Sequence, residues 1–324
     1  RSTLFPYTTL FRSAIVRAAP VNPLFPVTIA EWQDELAQRN EHFGQPDGYW
    51  CYVRPGRYLI GGWKNGDPVD TLELPAFWIA KYPVTVQQYR QFINAGGYAN
   101  DKLWTPNGWK WKEIKKRQSP YYWPDTNTHD RLNVQDNQPV VTITWYEAVA
   151  FARWLTARLS LPPGYEVRLP TEAEWEAAAA YDTNGQRHPY PWGEQEPTRE
   201  LADFDKDRKT DKPAPVGKRP AGAAACGAHN LAGSVWESCS SDYTHYAARA
   251  AVVVDDFALD GYHAPVRGGH GGVIERMFDV RRGSDSSPTP TTSSSTSTAV
   301  VSSPPLAIPE QCSGYPPFLA SLRF

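Results

Sequence analysis

The stretch that most constrains this 324-residue chain is Val167 to Gly193. It opens Val167-Arg-Leu-Pro-Thr-Glu-Ala-Glu-Trp-Glu176, passes through four alanines and closes on Pro189-Tyr-Pro-Trp-Gly193. Thr171 with Glu174 spells a capping box: the hydroxyl accepts an otherwise orphaned helix amide while the carboxylate reaches back to the cap. Pro170 disfavours helix in the residue before it, so the helix start is sharply set. Trp175 is then the large anchor of a helix built from small residues, which lets neighbouring backbone approach closely. The prolines and glycine around Tyr190 and Trp192 demand an ordered loop pinned by aromatics. Trp175 and Trp192 are both expected in the core.

The same Thr-based start recurs at Thr28 with Glu31, Thr85 with Gln88 and Thr144 with Glu147. Apolar residues at helical spacing follow each: Trp32 and Leu36, then Tyr89, Phe92 and Ile93, then Phe151, Leu155 and Leu159. Tyr49 to Trp63 and Leu72 to Ala80 alternate and are rich in aromatic or β-branched residues, which predicts strands. Gln45-Pro-Asp47 reads as a turn. With 30 prolines and 23 glycines beside 13 tryptophans and 17 tyrosines, the chain suits a loop-rich domain held by rings. Residues 98–137 form an insertion that interleaves tryptophans with Lys110, Lys112, Lys115, Lys116 and Arg117. It reads as a loop packing its rings and solvating its lysines, or as a contact surface for an anionic polymer.

A net charge of −2 gives no field favouring nucleic acid or an anionic membrane. No apolar run reaches the ~20 residues of a membrane span. Cys51, Cys226, Cys239 and Cys312 are scattered without metal or disulfide-framework spacing, which suits free thiols and a cytoplasmic location.

The wording around Thr171, followed by Tyr190-Pro-Trp-Gly193, resembles the sulfatase-modifying-factor family of the formylglycine-generating enzyme. Three further landmarks stand in the family's order: Tyr82-Pro-Val-Thr85, Gln138-Pro-Val-Val141 leading to Trp145-Tyr-Glu-Ala148, and Asn230-Leu-Ala-Gly-Ser-Val-Trp-Glu237. The resemblance covers residues 57–283 and continues into Val266-Arg-Gly-Gly269. It implies an α+β fold of the C-type-lectin-like kind, loop-rich, with a small twisted antiparallel sheet and peripheral helices. Residues 14–56 are then an N-terminal linker and helix.

By the same resemblance Asn230, Gly233, Val235 and Glu237 bind a structural calcium, through an amide oxygen, two carbonyls and a carboxylate, all hard donors. The family's second calcium site has only Asp203, Asp205 and Asp207 as candidates, in doubtful register. Oxidase members bind copper through two cysteines beyond the Arg-Gly-Gly landmark. Those positions fall here on Phe278 and Gly283, and neither supplies a thiolate. Formylglycine generation is therefore not expected, and enzymatic activity of another kind is left open.

The family's sulfoxide synthases use non-haem iron held by histidines of an added helical bundle. Here the seven histidines (His42, His129, His188, His229, His245, His263, His270) are spread singly, and no such bundle precedes the domain. What remains is the fold as a non-catalytic binding scaffold, as in the variable proteins of diversity-generating retroelements. Its ligand, a protein or a small molecule, would meet His270, Ile274, Arg276, Phe278 and Asp279. A metal-dependent oxidase of the same family is the alternative, and the anionic-polymer binder a second.

Both ends depart from the family. Residues 1–13 contain no Met and resemble the translation of a sequencing-library adapter. Residues 284–324 begin with a Ser/Thr/Pro/Ala run that cannot bury a core face. The run reads as a slipped frame, which would leave the chain without its closing core strand and with an open sheet edge.

Overall fold

A computed structural model of the protein describes residues 25–45, 47–63, 67–121, 123, 135–204, 213–241, 250–259 and 264–269, and the backbone of 319–323. Helices α1 (Ile29–Ala37) and α2 (Val86–Asn94) start on complete capping boxes at Thr28 with Glu31 and Thr85 with Gln88. The insertion contributes α3 (Pro106–Ile114) where a loop is expected. Thr105 caps it and Pro106 fills its first turn, where the missing N–H costs nothing. Helices α4 (Trp145–Thr156) and α5 (Glu172–Ala180) again start on full boxes, at Thr144 with Glu147 and Thr171 with Glu174.

Strands β1 (Trp50–Val53), β2 (Gly56–Gly61), β3 (Val69–Leu74) and β4 (Phe77–Pro83) come from the two alternating stretches. β2 and β3 form an antiparallel pair from Gly56 opposite Leu74 to Gly61 opposite Val69. Three short strands follow, β5 (Glu166–Arg168), β6 (Glu237–Ser238) and β7 (Val266–Arg267), and then β8 (Leu319–Arg323). The main sheet runs β1-β4-β8-β5, with β1 antiparallel to β4 and β8 parallel to both β4 and β5. The architecture is α+β.

Because successive side chains on a strand face opposite ways, the β1–β4 pair divides the interior into two cores. Trp50 and Trp78 join the core that carries α1, α2 and α4, with Trp32, Tyr89, Phe92 and Phe151. Cys51, Val53, Phe77 and Ile79 join the core that carries α5 and the β2–β3 hairpin, with Trp175, Tyr58 and Ile60. Each fully buried large side chain contributes roughly 1.5–3 kcal/mol, so the dense ring packing compensates for the scarcity of regular structure. Phe25, Val27, Trp32, Leu36, Tyr49 and Trp50 belong to the first of these cores, so residues upstream of 57 pack with the rest.

The end of the chain corrects the expectation that the closing strand is missing. β8 lies between β4 and β5, opposite Trp78 and Val167 at Ala320, and supplies the strand that joins them. Residues 1–24 and 284–318 lie outside the described residues. Among the described residues, no helix is long and apolar enough to cross a membrane.

The insertion buries Trp104, Trp111 and Trp123 against the first core, while Lys110, Lys115 and Lys116 are exposed. Trp192 is only partly buried: it stacks on the buried Tyr190 at 5.3 Å and its indole N–H donates to the Gln195 carbonyl. The expectation that it is a core residue is corrected. Tyr190 stacks on one face of the ring, and the Pro–Trp–Gly turn leaves the rest partly open.

Candidate functional site

All nine residues of α5 are buried, and its acidic side chains organise the surrounding landmarks. Glu174 closes the cap by accepting the Thr171 amide at 2.8 Å. It also takes Arg168 in a bidentate pair, at 2.8 and 2.7 Å. Trp175, fully buried, donates its indole N–H to Glu237 Oε2 at 2.6 Å. Glu176 Oε1 accepts from the Gly61 amide at 3.1 Å, Trp63 Nε1 at 2.9 Å and Arg187 Nη2 at 2.6 Å. The Arg187 guanidinium lies 3.5 Å from the centre of the Trp63 ring, a cation–π contact. Arg267 Nη2 sits 2.9 Å from Glu172 Oε1 and 3.8 Å from Glu176 Oε2.

Four carboxylates (Glu172, Glu174, Glu176, Glu237) thus face three guanidiniums (Arg168, Arg187, Arg267) around one helix. Burial pushes the Glu172 carboxyl up to about 7, with Arg267 opposing and Glu176 adding to the rise. Burial, reinforced by Glu172, also drives the Cys239 thiol well above its ordinary value, so it is an inert thiol rather than a nucleophile.

The turn from Asn230 to Glu237 is held by left-handed backbone at Asn230 (φ 62°), Gly233 (φ 76°) and Ser234 (φ 65°). Gly233 donates to the Gly268 carbonyl at 2.9 Å and Ser234 to the Asp203 carbonyl at 2.9 Å. A Cβ on Gly233 would lie 2.8 Å from the Asp203 carbonyl oxygen, so glycine is required there. Glu237 pairs with Arg267 across β6 and β7. The structure therefore ties the Asn-to-Glu landmark, α5 and the Arg-Gly-Gly landmark into one buried unit, with Arg267 anchoring the chain just before Gly268 and Gly269.

The four expected calcium donors all lie on this one turn. Asn230 Oδ1 accepts from the Gly217 amide at 3.1 Å, Val235 is fully buried and Glu237 is fully buried. The expected ligand residues His270, Ile274, Arg276, Phe278 and Asp279 lie outside the described residues, as do Gly283, His129, His245 and His263. His42 is exposed, His188 bridges Asp182 and Glu194 at 3.2 and 3.0 Å, and His229 packs 5.2 Å from the Tyr82 ring. Among the described residues no three His, Cys, Asp or Glu side chains gather as a metal site. The sequence reading assigns no site role to Glu172, Glu176, Arg187, Arg267 or Trp63. The only signal for them was the four-residue spacing of Glu172 and Glu176, which puts both on one helix face.

The family described as sulfatase-modifying factor enzyme 1-like domain matches residues 34–297. The hercynine oxygenase of Mycolicibacterium thermoresistibile is 41% identical over 182 residues, covering 55% of this chain and 38% of that protein. The hercynine oxygenase of Mycobacterium tuberculosis is 36% identical over 214 residues, covering 63% and 48%. The chain thus spans less than half the length of these relatives. The solved Treponema denticola variable protein 1 aligns at 20% identity over 70% of this chain and 86% of its own, with a TM-score of 0.47.

These relatives overturn the expectation of a non-catalytic binding protein. That expectation rested on the missing copper cysteines, whereas the relatives that this chain resembles over more than half of its length are named as oxygenases.

Proposed function

The chain belongs to the sulfatase-modifying factor enzyme 1-like family, and on that premise we propose that it is the family domain of a metal-dependent oxidase using non-haem iron, akin to hercynine oxygenase. The observation that carries this reading is the shared identity with hercynine oxygenases over more than half of the chain. The described residues do not fit an iron centre, since no three ligating side chains gather among them. No oxidation step is therefore assigned to them. Their contribution is placement: the α5 cluster clamps Arg267 and so sets where the chain leaves Gly269. The test is oxygen uptake by the whole gene product that carries this domain, loaded with ferrous iron, expected to rise when hercynine is added. Iron that does not bind, or oxygen uptake indifferent to hercynine, would remove the reading.

A structural calcium at Asn230, Gly233, Val235 and Glu237 is part of the same proposal. Two observations support it: the donors are hard oxygens on one tight turn, and the surrounding cluster has one more carboxylate than guanidinium. Ser234, buried in the same turn, has a hydroxyl without a partner among the described residues. A cytoplasmic location is supported by the scatter of the four cysteines along the chain, without disulfide-framework spacing.

A further inference from the structure

The β2–β3 hairpin has two unlike edges. Gly62 donates to the Pro68 carbonyl at 2.9 Å, and every second facing pair of an antiparallel ladder exchanges hydrogen bonds. The register then makes Ile60 with Asp70 and Tyr58 with Leu72 the bonded pairs. Leu59 and Gly61 on β2, and Val69, Thr71 and Glu73 on β3, turn their amides and carbonyls outward. On β2 these groups are taken. The Tyr181 hydroxyl meets the Leu59 amide and carbonyl at 2.7 and 2.8 Å, and Gly61 meets Glu176 and Arg187. On β3 the edge is open: among the described residues no further strand pairs with it, and of its three outward amides only that of Thr71 has a partner. Val69 is 52% exposed, and Asp70, Thr71 and Glu73 are exposed with it.

An exposed strand edge is a template for a further strand, and the side chains here determine which kind. The partner of the Thr71 amide is Asp70 Oδ1, at 2.7 Å. The central donor of the edge is therefore latched by a carboxylate of its own strand, and a cation arriving beside Asp70 draws that carboxylate off. The other acid of the strand, Glu73, lies on the opposite face and stands across from Arg57 of β2, which offsets it. Asp70 is left to select the incoming charge. On the face of Val69 and Thr71 the hairpin also exposes Leu59, 44% open to solvent. Successive side chains of a strand alternate between faces, so a matching strand alternates basic with aliphatic residues.

We propose that the open edge of β3 receives, antiparallel, an extended segment of a partner protein in which Lys or Arg alternates with β-branched aliphatic residues. The basic side chain pairs with Asp70 and frees the Thr71 amide for the ladder, while the aliphatic side chains lie beside Val69 and Thr71. A neutral or acidic strand leaves the latch shut. The surface is separate from the oxidase reading and stands or falls without it.

The test is titration of the whole chain with two blocked peptides, Ser-Thr-Lys-Val-Lys-Val-Ser and its counterpart with Gln for both Lys. Binding is read by calorimetry and by the backbone amide signals of β3 in nuclear magnetic resonance spectra. The Lys peptide is expected to shift the amides of Val69, Thr71 and Glu73 and to bind about fivefold or more tightly than the Gln peptide. Asp70→Ala, at an exposed position, removes both the latch and the charge, so the two peptides should then bind alike. Methylating the peptide nitrogen of the first Val removes a ladder donor without touching the protein, and should weaken the Lys peptide about tenfold. Shifts that miss β3, equal binding of both peptides to the native chain, a Lys preference that survives Asp70→Ala, or full binding of the methylated peptide would each overturn the proposal. So would a native chain that forms dimers which Asp70→Lys dissociates, since the edge would then belong to a second copy.

Discussion

Replacing Glu172 by Gln tests the buried cluster directly. In the native fold this carboxyl is lifted from 4.5 to about 7, chiefly by burial. A carboxyl with a raised folded-state value holds its proton more tightly folded than unfolded. It therefore stabilises the fold fully below pH 4.5, and that contribution is lost as pH rises to about 7. At 1.36 kcal/mol per tenfold change, the span corresponds to about 3 kcal/mol. Glutamine has the same shape and stays neutral at every pH, so the variant lacks this dependence. Urea unfolding of both proteins across that range is the assay. Native stability relative to the variant should fall by about 3 kcal/mol from the acid end to the neutral end. That is roughly 1 M in midpoint at a slope of about 3 kcal/mol/M. Parallel pH profiles for the two proteins would show that Glu172 is ionised throughout and that Arg267 outweighs burial.

The two tryptophans of the central stretch should separate. Trp175→Ala is expected to cost about 3–5 kcal/mol, and Trp192→Ala about 1 kcal/mol or less because its ring is partly exposed; equal losses in denaturant unfolding would contradict the burial difference. Gly233→Ala combines a φ of 76° with a contact to the Asp203 carbonyl. It should lower stability by about 1–3 kcal/mol, and an unchanged melting temperature would show that the turn can relax. If calcium occupies the turn, adding the metal should raise the melting temperature progressively and Glu237→Ala should abolish the rise. A native protein indifferent to both calcium and chelator would end that proposal.

The similarity to hercynine oxygenases also shows where residue-level inference about function failed. Phe278 and Gly283, in place of two cysteines, do argue against a copper–thiolate site, since neither side chain can ligate copper. They do not argue against oxidation. A metal held by other residues needs no trace of itself in this stretch of chain, so the absence of one ligand pair removed one chemistry and not the class.

Four of the five helices were legible because a Thr cap and its Glu or Gln partner lie three residues apart, and such contacts depend on nothing distant. α3 escaped because Thr105-Pro106 announces a helix start without the return carboxylate. Alternation in 49–63 and 72–80 likewise revealed strands, since a pleated strand imposes its two-residue period locally. The cluster around α5 had no such signature. Glu176 meets Gly61 across 115 residues and Trp175 meets Glu237 across 62, and the pairing of Glu172 with Arg267 joins two landmarks that the sequence shows only as separate motifs. Nor could spacing reveal that β8, at the far end of the chain, lies between β4 and β5. Local hydrogen bonding and side-chain period are written into neighbouring residues, whereas the partner of a buried charge is chosen by which distant segments the packed cores bring within reach of it.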